Sequence, residues 1–562
     1  MLANNATDGT SVTITATQPC DALACSSIGA EERYRLPSIY STSVVDTLNA
    51  VDPLPLDTLR NEGQCYDLAA EDASNLPPAA SRNGLTKSIL LPRQVILQML
   101  SLFRETLLPL VPILNPDDKL FSDHLVDTNI LFAHCICYVT ANFLPGGQEI
   151  RQTLLPEIKD MLLADTSNEM DEIQYMKILL ILFAYSKFGS PGSQSTLTVG
   201  GDLLYWPLKS IVESNSLRIS LHNSLQGIRV ELEAYPWRKV FETRCYEKYL
   251  LSLQLFLMAH YSSIVTGTPP TIRMDSSIRA APTLGFNTSR QVERLMGEVE
   301  LCLIWEKASL QHHLIGEWWC SPNPAEASNS DDIEPILMDT NSAIDTWYRR
   351  WKEFIDLGDR NGTTLDYLGR YTRFCISSYA IRSLRATPDS LTATQTQQVR
   401  RCAVLANNVL DCVLDIGPVQ MDQLRFITDS ALALLSFYCL FLMATIRTFP
   451  SVLHSVDNCI YQVERFAQVM MDLTTRSDRV AYIYGSLILK RVTILRGIVA
   501  RHDPPHGKLH AGRHSLSDVR PGPSHHPDPP VEQAEPQLQI DDLDLNTDFW
   551  DFSLLVNEPV GV

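Results

Sequence analysis

The stretch ALALLSFYCLFLMATI, residues 431–446, carries no charged side chain in its sixteen residues. Asp429 and Arg447 bracket it closely. A helix that crosses a membrane needs roughly twenty predominantly apolar residues, and a shorter run usually belongs to a protein core. We therefore interpret residues 431–446 as a buried core helix, and we expect no membrane; a membrane span is the less favoured alternative.

Apolar residues recur at helical spacing on both sides of this stretch. The steps of three and four that place side chains on one helical face appear three times, in Ile96, Leu100, Phe103 and Leu107, in Ile173, Met176, Leu180 and Phe183, and in Ile460, Val463, Ala467 and Met470. Pro109 and Pro112 should end the first of these helices, because proline cannot continue one. Strand signals are scarce. The pattern predicts an all-α, large multi-helix domain over residues 89–500.

The two ends of the chain differ from this domain. Residues 1–88 are rich in Ser, Thr, Ala and Pro without apolar periodicity, which predicts a disordered segment. Residues 501–536 are rich in Pro, His, Gly and Ser and are typical of a linker. Residues 537–562 form an acidic-aromatic segment. Within the helical region, 189–201 and 321–335 are interpreted as loops.

Charge and cysteine content limit the class of protein. The formal net charge of −19 makes direct DNA binding by this chain doubtful, because phosphate contacts rest on clustered Lys and Arg. Thirteen cysteines, an odd number, sit largely as single residues inside apolar runs. Such cysteines behave as small hydrophobic residues in a reducing compartment. Residues 1–16 lack the basic and apolar regions of a secretory signal.

No sequence signature points to catalysis or to a bound metal. The phosphate loop, the dinucleotide-binding glycines, the H-E-x-x-H zinc motif and the nucleophile elbow are all missing from the sequence. No pair of C-x-x-C elements supports a structural zinc site. We therefore expect no enzyme, no catalytic residues, no cofactor and no metal.

Three local clusters leave alternatives open. His312–His313 with Trp318–Trp319–Cys320 is interpreted as aromatic packing at a helix end, with a metal or ligand site as the alternative. A helical metal-dependent enzyme would need Asp-rich motifs, for which Asp171–Glu172 and Ser330–Asp331–Asp332 are the local candidates.

The stretch DDLDLNTDFWDFSLL, residues 541–555, is the segment whose composition most clearly predicts a function. Its carboxylates keep the chain soluble and extended, while its apolar side chains remain available for the groove of a partner. Alternation of acids with apolar residues is associated with activation domains. The alternative is a strap that docks back on the helical domain. The predicted partner-binding residues are Leu543, Leu545, Phe549, Trp550, Phe552, Leu554 and Leu555.

Several stretches in order resemble the middle regulatory region of fungal zinc-cluster transcription factors. They cover roughly residues 90–500, and they are Leu110–Asn115, Ile173–Gln174 with Leu179–Leu182, Trp206 through His222, Glu247–Lys248 through Ser263 to Gly267–Ile272, Trp347, Trp351, Tyr371, Tyr379–Ala380, and Leu424–Phe426 with Asp429–Ser430 and Phe441–Leu442. The resemblance implies an all-helical regulatory domain in a nuclear regulator of transcription, an activator of a metabolic or secondary-metabolite gene set.

The sequence departs from the family pattern at two places. Ser252–Leu253, Ala259–His260 and Thr268 replace residues of the family's most recognisable motif. The family's basic six-cysteine module, which holds two zinc ions, is also missing, since residues 1–90 offer only Cys20, Cys25 and Cys65. The expected partners are the transcription machinery or co-activators, and a second copy of the chain or a DNA-binding factor. The alternative function is a helical co-regulator or interaction scaffold that does not bind DNA.

Overall fold

Helices make up nearly all of the regular structure in the part of the chain that the computed structural model describes. It describes residues 90–502 except 112–113, 115–122, 165–169, 189–195, 235–236, 284–288, 320–332, 383, 385–390 and 475–478. Within these residues the predicted all-α fold is confirmed. The predicted disordered segment 1–88, the linker beyond residue 502 and the acidic-aromatic segment 537–562 lie outside the described residues.

Nineteen α-helices lie within the described residues. The first half contains α1 (Arg93–Leu102), α2 (Asp123–Thr128), α3 (Ile130–Ala141), α4 (Gly147–Leu163), α5 (Glu172–Ala184), α6 (Tyr205–Arg218), α7 (Ser224–Ala234), α8 (Trp237–Val240), α9 (Arg244–Thr266) and α10 (Ser276–Ala280). The second half contains α11 (Arg290–Gln311), α12 (His313–Gly316), α13 (Glu334–Asp356), α14 (Arg360–Arg382), α15 (Ala393–Leu414), α16 (Pro418–Gln423), α17 (Asp429–Thr448), α18 (Val456–Asp472) and α19 (Val480–His502).

Side-chain caps start many of these helices. Thr243, Ser289 and Thr428 each accept a hydrogen bond from a backbone N–H in the first turn of the helix that follows. Thr392 forms a complete capping box with Gln395 at the start of α15. Because the first four N–H groups of a helix have no partner inside it, these caps fix where each helix begins.

Helix α17 is the predicted core helix, and it is buried on every side. All residues from Leu432 to Ile446 are buried. Helices α9, α15, α18 and α19 pack against it, and Phe374 of α14 contacts the ring of Phe441 edge-on at 4.9 Å. A helix that is apolar all round must be enclosed in this way, because it has no polar face to turn towards water.

Two described helices, α9 and α17, are long and apolar enough to cross a membrane by length and composition alone. In the structure, 72% of the most apolar window of α9 and 83% of that of α17 are buried by other parts of the protein. This burial is what the interpretation of residues 431–446 as a core helix requires.

The predicted helical faces are confirmed. Ile96, Leu100, Phe103 and Leu107 all have essentially no exposed surface. The same holds for the two later sets, of which Phe183, at 4%, is the most exposed member. Helix α1 continues as a π-helical turn, Phe103–Leu107, and regular helix ends before Pro109, as predicted.

Both predicted loops need correction at their ends. Helix α13 begins at Glu334, within the predicted loop 321–335, since proline is tolerated in the first turn of a helix. The end of the predicted loop 189–201 forms part of a small β-hairpin. Strand β1 (Thr198–Val199) pairs antiparallel with β2 (Asp202–Leu203). Gly200 and Gly201 connect them with positive φ angles of 59° and 94°. Glycine adopts such angles without steric cost, and Gly-Gly is a favoured two-residue hairpin turn, so the turn chemistry outweighs the lack of β-branched alternation.

The enclosure of α17 predicts a large difference between two leucine truncations. Leu442→Ala should lower the free energy of unfolding by about 3–5 kcal/mol, because it leaves a cavity in a fully packed site. Leu310→Ala is the matched control: Leu310 is 79% exposed, and the expected change lies within about 0.5 kcal/mol. Urea denaturation of the two variants measures both values, and equal losses would contradict the burial described here.

Candidate functional site

A cavity of about 420 Å³ lies next to the amino-terminal end of α17. Helices α5, α6, α9, α11, α14, α15 and α17 all contribute to its wall, together with residues 110–111 and 423–428. Most of the lining is apolar, and its larger aliphatic members include Leu257, Leu368, Val413, Leu434 and Leu435. The volume falls in the range of about 300–1,000 Å³ that small-molecule sites occupy.

Three charged side chains belong to the described lining, namely Arg294, Glu298 and Arg360. Arg294 and Glu298 are almost completely buried, at 5% and 6% exposure, and form an ion pair one turn apart on α11 at 2.6 Å. The charges of this pair cancel. Arg360, on the first turn of α14, has no carboxylate within ion-pair distance among the described residues, so the lining carries an excess of one positive charge.

Both arginines also hold the end of the first helix. Arg294 donates to the carbonyl oxygens of Pro109 and Leu110, at 2.7 and 3.3 Å. Arg360 donates to those of Glu105 and Thr106, at 3.3 and 3.0 Å. Pro109 has no amide hydrogen, so the helix itself cannot satisfy the Glu105 carbonyl. The guanidinium groups therefore cap a helix C-terminus, where cations are favoured.

Two polar groups of the lining, the hydroxyl group of Tyr261 and the side-chain oxygen of Gln254, have no hydrogen-bond partner among the described residues. The hydroxyl groups of Tyr205 and Tyr367, which also belong to the lining, lie beside the side chains of Ser262 and Tyr438. Burial raises the pKa of all three tyrosine hydroxyls, which keeps them protonated at neutral pH. Uncharged polar groups in an otherwise apolar wall are typical of sites that orient a ligand.

Tyr261 also contacts an aromatic cluster centred on His260. The ring of His260 lies 4.2 Å from that of Trp318, 5.3 Å from that of Trp305 and 5.4 Å from that of Tyr261. His260 is 5% exposed, and its Nε2 atom has no partner in the described part of the chain. Burial lowers the pKa of His260 to about 3. His260 thus places a neutral ring inside an aromatic cluster.

The structure describes Asp171 and Trp318, which belong to two of the three candidate clusters. Asp171 caps α5 through the amides of Ile173 and Gln174 and pairs with Arg244 at 2.6 Å. Trp318 belongs to the aromatic cluster around His260. The stretch Ser330–Asp331–Asp332 lies outside the described residues. Within the described ranges, no group of three or more His, Cys, Asp or Glu side chains is placed to hold a metal ion.

The predicted partner-binding residues, Leu543 through Leu555, lie outside the described residues. The structure therefore leaves them as predictions from the sequence. The cavity, in contrast, could not be predicted from the sequence, because its wall comes from nine separate segments between residues 110 and 435. Pro109 was the local signal available, since it marks a helix end that needs outside donors.

Comparisons of the chain with protein-family models, with curated proteins and with solved structures found no match.

The burial of His260 predicts a loss of stability in mild acid. The unfolded chain takes up a proton below a pKa of about 6.5, whereas the folded ring stays neutral until about pH 3. Stability is thus fully present above pH 6.5 and falls as the pH drops from there towards 3. Between pH 7 and pH 5 the share lost through His260 should be about 2 kcal/mol.

The variant His260→Phe should remove this share, so that its free energy of unfolding falls by about 2 kcal/mol less than that of the wild type between pH 7 and 5. Urea denaturation at both pH values measures it. His222, which is exposed, provides the control variant His222→Phe, which should keep the wild-type pH dependence. An unchanged dependence in His260→Phe would contradict this account, because it would show that folding does not change the pKa of the ring.

Proposed function

We propose that this protein is a transcriptional regulator of the fungal type, an activator that works in the nucleus. Its acidic-aromatic segment recruits the transcription machinery or co-activators, and the helical domain controls when the segment is available. The stretch at residues 541–555, in which acids alternate with Leu, Phe and Trp, is the observation that carries the proposal. The ordered resemblance over residues 90–500 supports it.

The chemistry of the segment fits recruitment. Residues 531–562 hold eight acidic side chains and no Lys or Arg, so self-repulsion opposes collapse of the segment on itself. Its aromatic and leucine side chains can enter a hydrophobic groove when the segment folds into a short amphipathic helix on a partner. A segment that folds only on binding binds weakly for the area it buries, and such interactions suit a switch.

The test is a fusion of residues 531–562 to a heterologous DNA-binding domain in a reporter strain. The fusion should activate the reporter, and the triple variant Phe549→Ala, Trp550→Ala, Phe552→Ala should abolish activation, because it removes the groove-filling side chains. A matched control, Gln537→Ala, Gln539→Ala, Asn546→Ala, changes three polar residues of the same segment and should leave activation intact.

Equal protein levels of the three fusions, measured by immunoblot, make the comparison valid. A silent wild-type fusion, or full activity of the aromatic triple variant, would contradict the recruiting role. That result would favour the alternative in which the segment docks back on its own helical domain. The isolated helical domain should then bind a peptide of residues 537–562.

A second candidate is a co-regulator that relies on a separate DNA-binding factor. The observation that favours it is the charge of −19 together with the missing basic six-cysteine module in these 562 residues. Both readings share the acidic segment and differ in DNA contact. Electrophoretic mobility shifts of the full chain with fungal promoter fragments distinguish them: salt-sensitive binding favours a DNA-binding activator, and its absence favours the co-regulator.

A further inference from the structure

We propose that the central cavity binds a small amphipathic monocarboxylate, a molecule with an apolar body and one carboxylate group, and that Arg360 receives the carboxylate. The body would lie along the aliphatic wall formed by Leu257, Leu434 and Leu435. This inference goes beyond the proposed function. It concerns binding by the helical domain alone, and its test uses no transcriptional readout, so the two can fail separately.

The size and lining of the cavity fit such a molecule. Its volume of about 420 Å³ is large enough for a small organic ligand. The aliphatic side chains that surround it come from α9, α14, α15 and α17. Removal of apolar ligand surface from water supplies the main attraction, at roughly 25 cal/mol for each Å² buried.

The charge of the lining selects for an anion. Arg294 is neutralised by Glu298, which leaves the charge of Arg360 without a counter-charge among the described lining residues. A cationic ligand would meet this charge at close range, and a dianion would leave one negative charge unpaired in an apolar space. A single carboxylate would neutralise the one excess positive charge of the lining.

The hydrogen bonds of Arg360 leave donors for a ligand. Its Nε donates to the side chain of Gln423 at 3.0 Å, and its Nη1 donates to the carbonyl groups of Glu105 and Thr106. The two hydrogens on Nη2 have no acceptor in the described part of the chain. A guanidinium carries five N–H donors in a planar fork, so Nη2 can still donate to one carboxylate oxygen.

The environment of Arg360 strengthens this contact. Burial, together with the charge of Arg294, lowers the pKa of Arg360, because the group has lost part of its hydration. An arginine remains protonated even so. A carboxylate replaces the lost hydration with a charge-assisted hydrogen bond in a medium less polar than water, where such bonds are stronger.

The position of Arg360 also gives ligand binding a structural consequence. Its guanidinium already joins the end of the first helix to Gln423, and Leu424, Ile427 and Thr428 continue the cavity wall towards α17. A carboxylate bound to Arg360 would therefore lie where α14 contacts the end of the first helix and Gln423. Ligand binding should therefore raise the free energy of unfolding of the helical domain, since a ligand that binds only the folded state stabilises it.

The test is isothermal titration calorimetry of the full chain with three probes of equal shape: biphenyl-4-carboxylate, biphenyl-4-methanol and biphenyl-4-methylamine. The same head groups on a ten-carbon chain form a second, flexible series. In at least one series the carboxylate should bind with one-to-one stoichiometry and roughly 10-fold or more tighter than the alcohol, as expected for one hydrogen bond to a charged group. The amine should bind most weakly.

Variants locate the site. Arg360→Gln should remove the advantage of the carboxylate over the alcohol, because the charge-assisted bond is lost. The variant also loses the hydrogen bonds of Arg360 to Glu105 and Thr106, so alcohol binding, which should change by less than about 2-fold, reports whether the cavity is intact. Arg279→Gln removes a charge from an arginine that pairs with Glu306 outside the cavity, and it should change neither affinity. Ala431→Trp, which fills the cavity from α17, should weaken all probes.

Three results would overturn the proposal: no saturable binding of either carboxylate, alcohol binding as tight as carboxylate binding in both series, or an Arg360→Gln variant that keeps the carboxylate advantage. Circular dichroism checks that each variant is folded. If Arg360→Gln does not fold, the comparison of the three head groups on the wild-type protein still decides the matter.

Discussion

The enclosure of α17 is the constraint on which the rest of the structure depends. Fifteen consecutive residues, Leu432 to Ile446, are buried, and a helix of this kind has no face that can lie in water. Helices α9, α15, α18 and α19, together with aromatic side chains of α14, supply the cover. The amino-terminal end of α17, at Ser430, Ala431, Leu434 and Leu435, borders the cavity.

That space is also where the first helix meets the later ones. Pro109 ends the helical hydrogen bonding after residue 107 and leaves carbonyl groups without donors from the helix itself. Arg294 and Arg360 supply these donors across separations of 184 to 255 residues. One helix end thus accounts for two arginines in an otherwise apolar region.

The sequence was sufficient for the all-α class, for three amphipathic faces and for the core helix, because apolar spacing is a local property. Ile96, Ile173 and Ile460 each lie on the face that the spacing predicts. The hairpin at Gly200–Gly201 was missed because strands of two residues leave no alternation to detect, although the glycine pair itself is a turn signal.

The site was beyond local reasoning for a different physical reason. The cavity and the contact between Arg360 and Glu105 depend on how helices distant in the chain pack, and spacing within a helix carries no information about that. His260 shows the same limit, because its aromatic surroundings come from Trp305 and Trp318 further along the chain. The acidic segment was readable because its chemistry lies within fifteen consecutive residues.

Hydrogen–deuterium exchange of the full chain in detergent-free aqueous buffer tests the central claim most directly. If α17 is the enclosed core of one helical domain, amides of residues 432–446 should exchange only through global unfolding and rank among the slowest in the chain. Fast exchange of these amides in buffer, with protection appearing only after lipid or detergent is added, would contradict the account and favour a membrane-associated helix instead.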